Sequence, residues 1–190
     1  MARLVISGVF LFFIGLLGYI IKKWLDQPKE IERKFLVKNF SFAMIPDDAK
    51  AYDIFQDYLV SWFGWTSRVR RKTLIDGDGK TVYTYTRKMP TGIPGICYEY
   101  EREISEAKYR KLLAKRDLAT RTIHKIRHEF IYKGHLLELD VFADLPKFPN
   151  LVELEVELDD INEPLELPSE MDLEEVTGDS RYSNRSLAAL

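Results

Sequence analysis

A single cysteine, Cys97, in 190 residues rules out an intrachain disulfide, and such a chain fits a reducing compartment. Excess charge is missing too: the formal net charge is −2. Without a continuous basic surface the chain has no means of coating nucleic acid, and no nucleic-acid partner is expected. Histidine is scarce, three in all. His124 and His128 stand four apart, a zinc spacing on a helix, but they fall in a strand pattern, pointing away from Lys125 and Arg127, where a structural role is expected. Asp76-Gly77-Asp78-Gly79 resembles part of a calcium loop but lacks its later ligands and closing Glu, and reads as a hairpin turn. There is no internal repeat and no long low-complexity stretch.

What is present is strongly ordered along the chain. Leu4 to Ile21 is an unbroken run of apolar, Gly and Ser residues, and its length at about 1.5 Å per residue just spans a bilayer. Lys22, Lys23 and Trp24 follow where interfacial anchors belong. A membrane anchor is therefore expected over residues 1–26, inserted through 4–21. The lysines after it favour a single-pass protein with its remaining domain, residues 27–190, on the cytosolic side.

Charge then alternates with a period of two. Glu30, Glu32 and Lys34 share one face of a strand, and Ile31, Arg33 and Phe35 share the other. Similar faces carry Arg68, Arg70 and Lys72; Thr84, Thr86 and Lys88; Glu99, Glu101 and Glu103; Lys125, Arg127 and Glu129; and Glu153, Glu155 and Glu157. Opposite faces hold mainly Val69, Tyr83, Tyr85, Tyr98, Tyr100, Ile126, Leu154 and Val156. A sheet with one apolar and one charged side ordinarily turns its charges to water. A solvated sheet intersperses its signs, because like charges directly opposite are destabilising. Here whole stretches are of one sign: seven Lys and Arg against two Asp from Arg68 to Lys88, and twelve acids with no Lys or Arg from Leu151 to Ser180. A sheet closed with its charges inward would face carboxylates with guanidinium and ammonium groups, a lumen suited to a polyanion and its cations.

The local signals place strands at Glu30 to Val37, Thr66 to Leu74, Thr81 to Lys88, Tyr98 to Ile104, Thr122 to Tyr132, Leu136 to Phe142 and Leu151 to Leu158. Pro46-Asp47-Asp48 suits a helix start leading into Ala49 to Phe55, with Gln56 to Val60 extended. Ser105 caps a helix running through Lys115, Ser169 with Asp172 suggests a short acidic helix, and Ser183 opens another. Met89 to Gly95 reads as a Pro/Gly loop. Trp62, Phe63 and Trp65 form an aromatic cluster suited to core or rim packing.

In order along the chain, Glu30-Ile31-Glu32-Arg33-Lys34, Gln56-Asp57-Tyr58-Leu59, Arg68-Val69-Arg70, Thr86-Arg87-Lys88, Glu99-Tyr100-Glu101, Lys125-Ile126-Arg127, Glu138-Leu139-Asp140 and Glu155-Val156-Glu157 resemble the motifs of the CYTH, or triphosphate tunnel metalloenzyme, family. The resemblance implies a mainly β, α+β fold: an eight-stranded antiparallel barrel forming a tunnel, with helices packed outside. It implies metal-dependent hydrolysis of a triphosphate, either inorganic tripolyphosphate or an organic one. An adenylate-cyclase-type reaction on ATP and a non-catalytic, membrane-tethered polyphosphate-binding module are the alternatives. Glu30, Glu32 and Lys34 would be catalytic. Glu30, Glu32, Glu155 and Glu157 would hold Mg²⁺ or Mn²⁺, and Lys34, Arg68, Arg70, Lys88, Lys125 and Arg127 would clamp phosphates. Glu101 and Asp140 would support or position water. Two departures from the family pattern are the long, proline-rich Met89 to Gly95 loop, which makes the place of Lys88 less secure, and the added apolar segment.

Overall fold

The computed structural model describes residues 29–61 and 64–189. The expected anchor over residues 1–26, with Trp62 and Phe63, lies outside the described residues. Among those described, no helix is long and apolar enough to cross a membrane.

The strands are β1 (Lys29–Lys38), β2 (Lys50–Leu59), β3 (Thr66–Leu74), β4 (Thr81–Pro90), β5 (Ile96–Glu103), β6 (Ile123–Tyr132), β7 (His135–Ala143), β8 (Val152–Glu157) and β9 (Asp172–Glu175). Helix α1 (Glu106–Leu113) lies between β5 and β6, and the short α2 (Asn184–Ala188) follows β9. Neighbours run β5, β4, β3, β2, β6, β7, β8, β1, and β1 pairs back to β5. Every pairing is antiparallel, so eight strands close into a barrel, and closure removes their free edges. The closing seam is short, from Lys29 opposite Tyr98 to Ile31 opposite Ile96. Beyond it β9 takes over the same edge of β1, from Phe35 opposite Glu175 to Lys38 opposite Asp172.

The alternation read from the sequence sets the two faces. Phe35, Leu137, Leu139, Leu154 and Val156 point outward into a core with Met171, Phe40, Met44, Ile45, Leu165 and Leu167. That cover comes from the segments after β1 and before β9, so irregular chain replaces most of the helices expected outside. An apolar sheet face requires apolar contact, and a hydrophobic loop supplies it as well as a helix does. Helix α1 behaves as expected. Ser105 caps it by accepting from Lys108 N at 3.3 Å, and Tyr109 packs on Leu59 and Val69, with Tyr83 and Tyr85 alongside. Helix α2, capped by Ser183, sets Leu187 and Ala188 against Tyr58, Ile123, Phe142 and Leu145.

Two helix expectations are corrected. Ala49 to Phe55 is not helical: Lys50–Leu59 is one strand, bonded along both edges to β3 and β6. The acids that suggested a helix start sit in a turn closed by Ala49 N donating to Pro46 O at 3.0 Å. Asp172–Glu175 is likewise β9, because the open edge of β1 offers backbone partners that outweigh a local acidic helix start. At the Met89 to Gly95 loop, Met89 and Pro90 continue β4.

Candidate active site

Inside the barrel, β1 presents Glu30, Glu32 and Lys34. Two outside segments hold its backbone there. Glu32 N donates to Gly95 O at 2.8 Å, Lys34 N to Thr177 Oγ1 at 3.0 Å, and Val176 N to Lys34 O at 2.8 Å. Gly95 and Gly178 permit this crossing. Both have positive φ, and a Cβ on Gly95 would lie 2.6 Å from Glu32 O, one on Gly178 2.5 Å from Pro94 Cβ. Arg33 points outward, paired with Glu175 at 2.6 Å.

Lys34 is the hub of the acidic wall. Its ammonium lies 2.7 Å from Glu155, 3.2 Å from Glu153 and 3.8 Å from Glu32, and it also donates to the Tyr182 carbonyl at 3.2 Å. Burial disfavours its charge, but Glu155 and Glu153 outweigh that and hold its pKa well above the usual lysine value. On the neighbouring strands Arg127 joins Asp140, Glu138 and Glu155, with 2.6 Å to both Asp140 and Glu155. Lys125, fully buried, pairs with Asp140. Asp140 is thus the counter-ion that fixes two cations.

The opposite wall carries cations with fewer partners. Arg68 has one distant acid, Glu101 at 3.8 Å, and Glu101 also accepts from Thr86 at 2.5 Å. Arg70 has no ion pair at bridging distance among the described residues, and its Nε, like that of Arg68, is buried without a hydrogen-bond partner. Burial, then Arg68 and Arg127, push the Arg70 pKa down. Crowded guanidinium groups with unused donors make a site that an anion would relieve. Lys88, despite the long loop that follows it, faces the tunnel, paired with Glu30 and with Glu99 at 2.6 Å.

The acids divide by environment. Burial would raise the Glu30 pKa, but Lys88 outweighs it and lowers it to about 2. Burial, then Glu155, raises Glu32 to about 7, and burial raises Glu153 to about 7. Glu155 is held well below the carboxylate range because Lys34, Lys125 and Arg127 outweigh burial. Glu157 stands opposite Glu32 in the β1–β8 register and is exposed. Of the four expected metal ligands, Glu30 and Glu32 lie together on β1, whereas Glu155 is bound to cations. The compact ligand group among the described residues is instead Glu30, Cys97 and Glu99, within 4.8 Å of one another. A cavity of about 420 Å³ opens on Glu30, Glu32, Lys34 and Lys88, walled by the loop before β5 and the tail after β9.

A CYTH domain model matches residues 28–184. The chain belongs to the CYTH family. An inorganic triphosphatase of Nitrosomonas europaea is 34% identical over 161 residues, 84% of this chain and 96% of that protein. The crystal structure of the inorganic triphosphatase NE1496 aligns with TM-score 0.54 and 31% identity over 84% of this chain and 93% of its own. A second crystal structure, described as the hypothetical protein NE1496, aligns with TM-score 0.52 and 31% identity, over 84% and 97%.

In this CYTH barrel, several lumen residues carry no role in the sequence reading. Glu99 and Glu153 belong to charged faces already visible there. Glu138 pairs with Arg127. Gln56 and Tyr58 are buried in the lumen, with Gln56 Nε2 donating to Tyr58 Oη at 3.1 Å. Both lie in the stretch read as extended, and what sets their face is the register with β3, Gln56 opposite Arg70 and Tyr58 opposite Arg68. His124 lies outside the lumen, 2.8 Å from Asp53 and stacked on Phe55.

Proposed function

We propose that the protein is a metal-dependent triphosphatase that hydrolyses a phosphoanhydride bond of inorganic tripolyphosphate or an organic triphosphate within its barrel. The observation that carries this reading is the segregated lumen, with Lys34 among Glu32, Glu153 and Glu155 on one side and the under-partnered Arg68 and Arg70 on the other. Lys34, Arg68, Arg70, Lys88, Lys125 and Arg127 would hold phosphate oxygens, and the guanidinium groups can do so bidentately. Phosphoryl transfer asks mainly for positioning and charge stabilisation, which fixed cations supply. Glu101 and Asp140 would act through those cations, and Glu30, Glu32 and Lys34 would form the catalytic group.

The donor set fits a hard divalent cation. Glu32 and Glu153 have pKa values raised to about 7, and Glu153 Oε1 is buried without a partner; a cation would relieve both. Mg²⁺ or Mn²⁺ would be held by Glu30, Glu32, Glu155 and Glu157 with Glu153 beside them, Glu155 leaving its pairs with Lys34 and Arg127 to do so. When bound it would neutralise phosphate charge and lower the pKa of an attacking water. The domain would occupy residues 27–190, tethered through residues 4–21 with the barrel on the cytosolic side.

The test is a panel of tripolyphosphate, thiamine triphosphate and nucleoside triphosphates with Mg²⁺ or Mn²⁺, alongside Glu32→Ala. Metal-dependent orthophosphate release that Glu32→Ala abolishes is expected. Cyclic nucleotide without orthophosphate would replace the reading by a cyclase, and tight polyphosphate binding without turnover would replace it by a binding module.

A further inference from the structure

The outside of the barrel carries charge of opposite sign on its two sides. A cavity of about 510 Å³ lies over the outer face of β3, β4 and β5 beside α1, lined by Trp65, Tyr85, Arg87, Tyr100, Arg102 and Lys108. Among the described residues no carboxylate lines it. The Arg87 guanidinium lies 4.3 Å from the centre of the Trp65 ring and that of Arg102 5.8 Å from the centre of the Tyr85 ring, so aromatic faces hold both cations in place. Tyr100, Arg102, Lys108 and Lys111 are exposed. So are two aliphatic side chains nearby, Val60 on the connection that also carries Trp65, and Leu118 after α1. The acids of this region are committed, Glu106 to Arg110 and Asp117 to Arg185. Strand β7 is four strands from β4 in either direction round the barrel, and the segment before β9 covers its outer face. That segment exposes Asp159, Asp160, Glu166, Glu170 and Asp172.

The chain enters the barrel at the edge of the basic side. Lys29 stands opposite Tyr98, Tyr98 opposite Met89, and Met89 follows Lys88, which stands opposite Thr66, the neighbour of Trp65. Lys29 and Trp65 are therefore three strand spacings apart on one row, about 14 Å. Trp24 precedes Lys29 by five residues, a length of chain that reaches at most about 18 Å. A segment inserted through residues 4–21 would keep this side of the barrel within reach of the lipid headgroups.

We propose that the outer face of β3, β4, β5 and α1 is a docking surface for an anionic phospholipid bilayer, with Arg87, Arg102, Lys108 and Lys111 against the headgroups and Trp65 and Tyr100 at their level. Basic side chains are drawn to such a surface, and Trp and Tyr favour the boundary between water and lipid. The acidic far side is repelled by the same lipids, so the contact would set which way the barrel turns on its tether. The proposal rests on the tethered reading only for bringing the face to the bilayer; the chemistry of the face is independent of it and of the reaction in the lumen.

The experiment places the full-length protein on lipid nanodiscs of phosphatidylcholine alone or of phosphatidylcholine with phosphatidylserine, and follows acylation of each lysine by a water-soluble reagent with mass spectrometry. On the anionic discs Lys108 and Lys111 should react at least about fivefold more slowly than on the neutral ones, the factor that one basic residue at an anionic surface supplies. Lys133, exposed in the β6–β7 turn on the far side, should react equally on both. Salt at about 0.5 M, which shortens the screening length to about 4 Å, should remove the protection. Arg87→Gln/Arg102→Gln should lose most of it as well, and so should Val60→Ser/Leu118→Ser, whose positions are exposed and whose folding thermal unfolding checks. Protein that stays on both discs with equal rates at Lys108 and Lys111 overturns the docking surface and leaves the tether standing. Protein that leaves the neutral discs but binds the anionic ones with these two lysines protected keeps the docking surface and removes the tether. Binding to neither disc, or protection that survives salt and both variants, overturns the proposal. So does protection by polyglutamate and not by phosphatidylserine, which would assign the face to an acidic protein.

Discussion

Lys34 Nζ lies 2.7 Å from the carboxylate of Glu155, its directly opposed neighbour across the β1–β8 ladder. Arg33, one residue earlier, makes an equally short pair with Glu175 on the outer surface. The two pairs differ in surroundings rather than in length, and the surroundings decide what each contributes. Lys34 is buried among three carboxylates, whereas Arg33 and Glu175 are both partly solvated.

Neutralising the two residues should therefore give opposite results. Lys34→Gln leaves Glu153 and Glu155 buried without their ammonium, and removes a phosphate contact; a loss of at least about 100-fold in kcat/KM is expected, with about 3 kcal/mol lost from stability. Arg33→Gln should cost under about 1 kcal/mol and leave kcat/KM within about twofold. Steady-state kinetics and urea unfolding check both, and equal effects on activity would remove Lys34 from the catalytic group.

Acidity should control metal binding. The ordinary value for Glu32 and Glu153 is 4.5, and both are raised to about 7. In the metal-free protein the folded state holds protons that the unfolded chain has released. The two carboxyls therefore favour folding at low pH, and that contribution is lost as pH rises from about 4.5 through about 7. A divalent cation requires the ionised forms, so its affinity should climb over the upper part of that window and level off above it. The rise in melting temperature caused by Mg²⁺ should be larger at about pH 8 than at about pH 6. Glu32→Gln/Glu153→Gln should flatten the difference; a shift independent of pH in the wild type would contradict it.

Asp140 offers a separate test of how the cations are held. It is fully buried, and Arg127 donates to it through Nε at 2.8 Å and Nη2 at 2.6 Å, with Lys125 beside it. Asp140→Asn removes the charge shared by both cations and should cost about 3–5 kcal/mol. Chemical denaturation measures that loss, and a change below about 1 kcal/mol would show that Glu138 and Glu155 suffice as counter-ions.

How far the site was legible follows from how each strand divides its residues. On β1, β3 and β8 one face carries an unbroken run of charge and the other at most isolated charges such as Arg33 and Arg71, so Glu32, Arg68 and Glu155 could be assigned to the lumen from alternation together with the segregation of sign. On β2 the division fails. Tyr52, Ile54, Gln56 and Tyr58 face the lumen while Asp53, Phe55 and Asp57 face outward, so both sides are mixed and the acids before them imitate a helix start. The register that fixes β2 comes from β3 and β6, which no local pattern contains. The meeting of Cys97 and Glu30, 3.0 Å apart, depends in the same way on the closing seam. Glu153 was visible as a charged position, but its complete burial depends on barrel closure together with Lys34 and the tail.

The crossing of the tail over the loop before β5 gives the last expectation. Gly178 has φ +79°, and a Cβ there would meet Pro94 Cβ at 2.5 Å and Pro94 Cα at 3.2 Å. Neither atom belongs to a flexible side-chain end, so Gly178→Ala must displace the tail from the loop. The cost should be about 1–3 kcal/mol from the backbone conformation, with the overlap added. Because Val176 and Thr177 hold the Lys34 backbone, the displacement should also reach the site and lower kcat. Arg181→Ala, three residues further on, removes an exposed pair with Asp179 and should leave both quantities nearly unchanged. Thermal unfolding with tripolyphosphate kinetics on the two variants distinguishes a tail that aligns Lys34 from one that merely covers it. Loss of stability with kcat intact in Gly178→Ala would mean that the tail only covers the chamber.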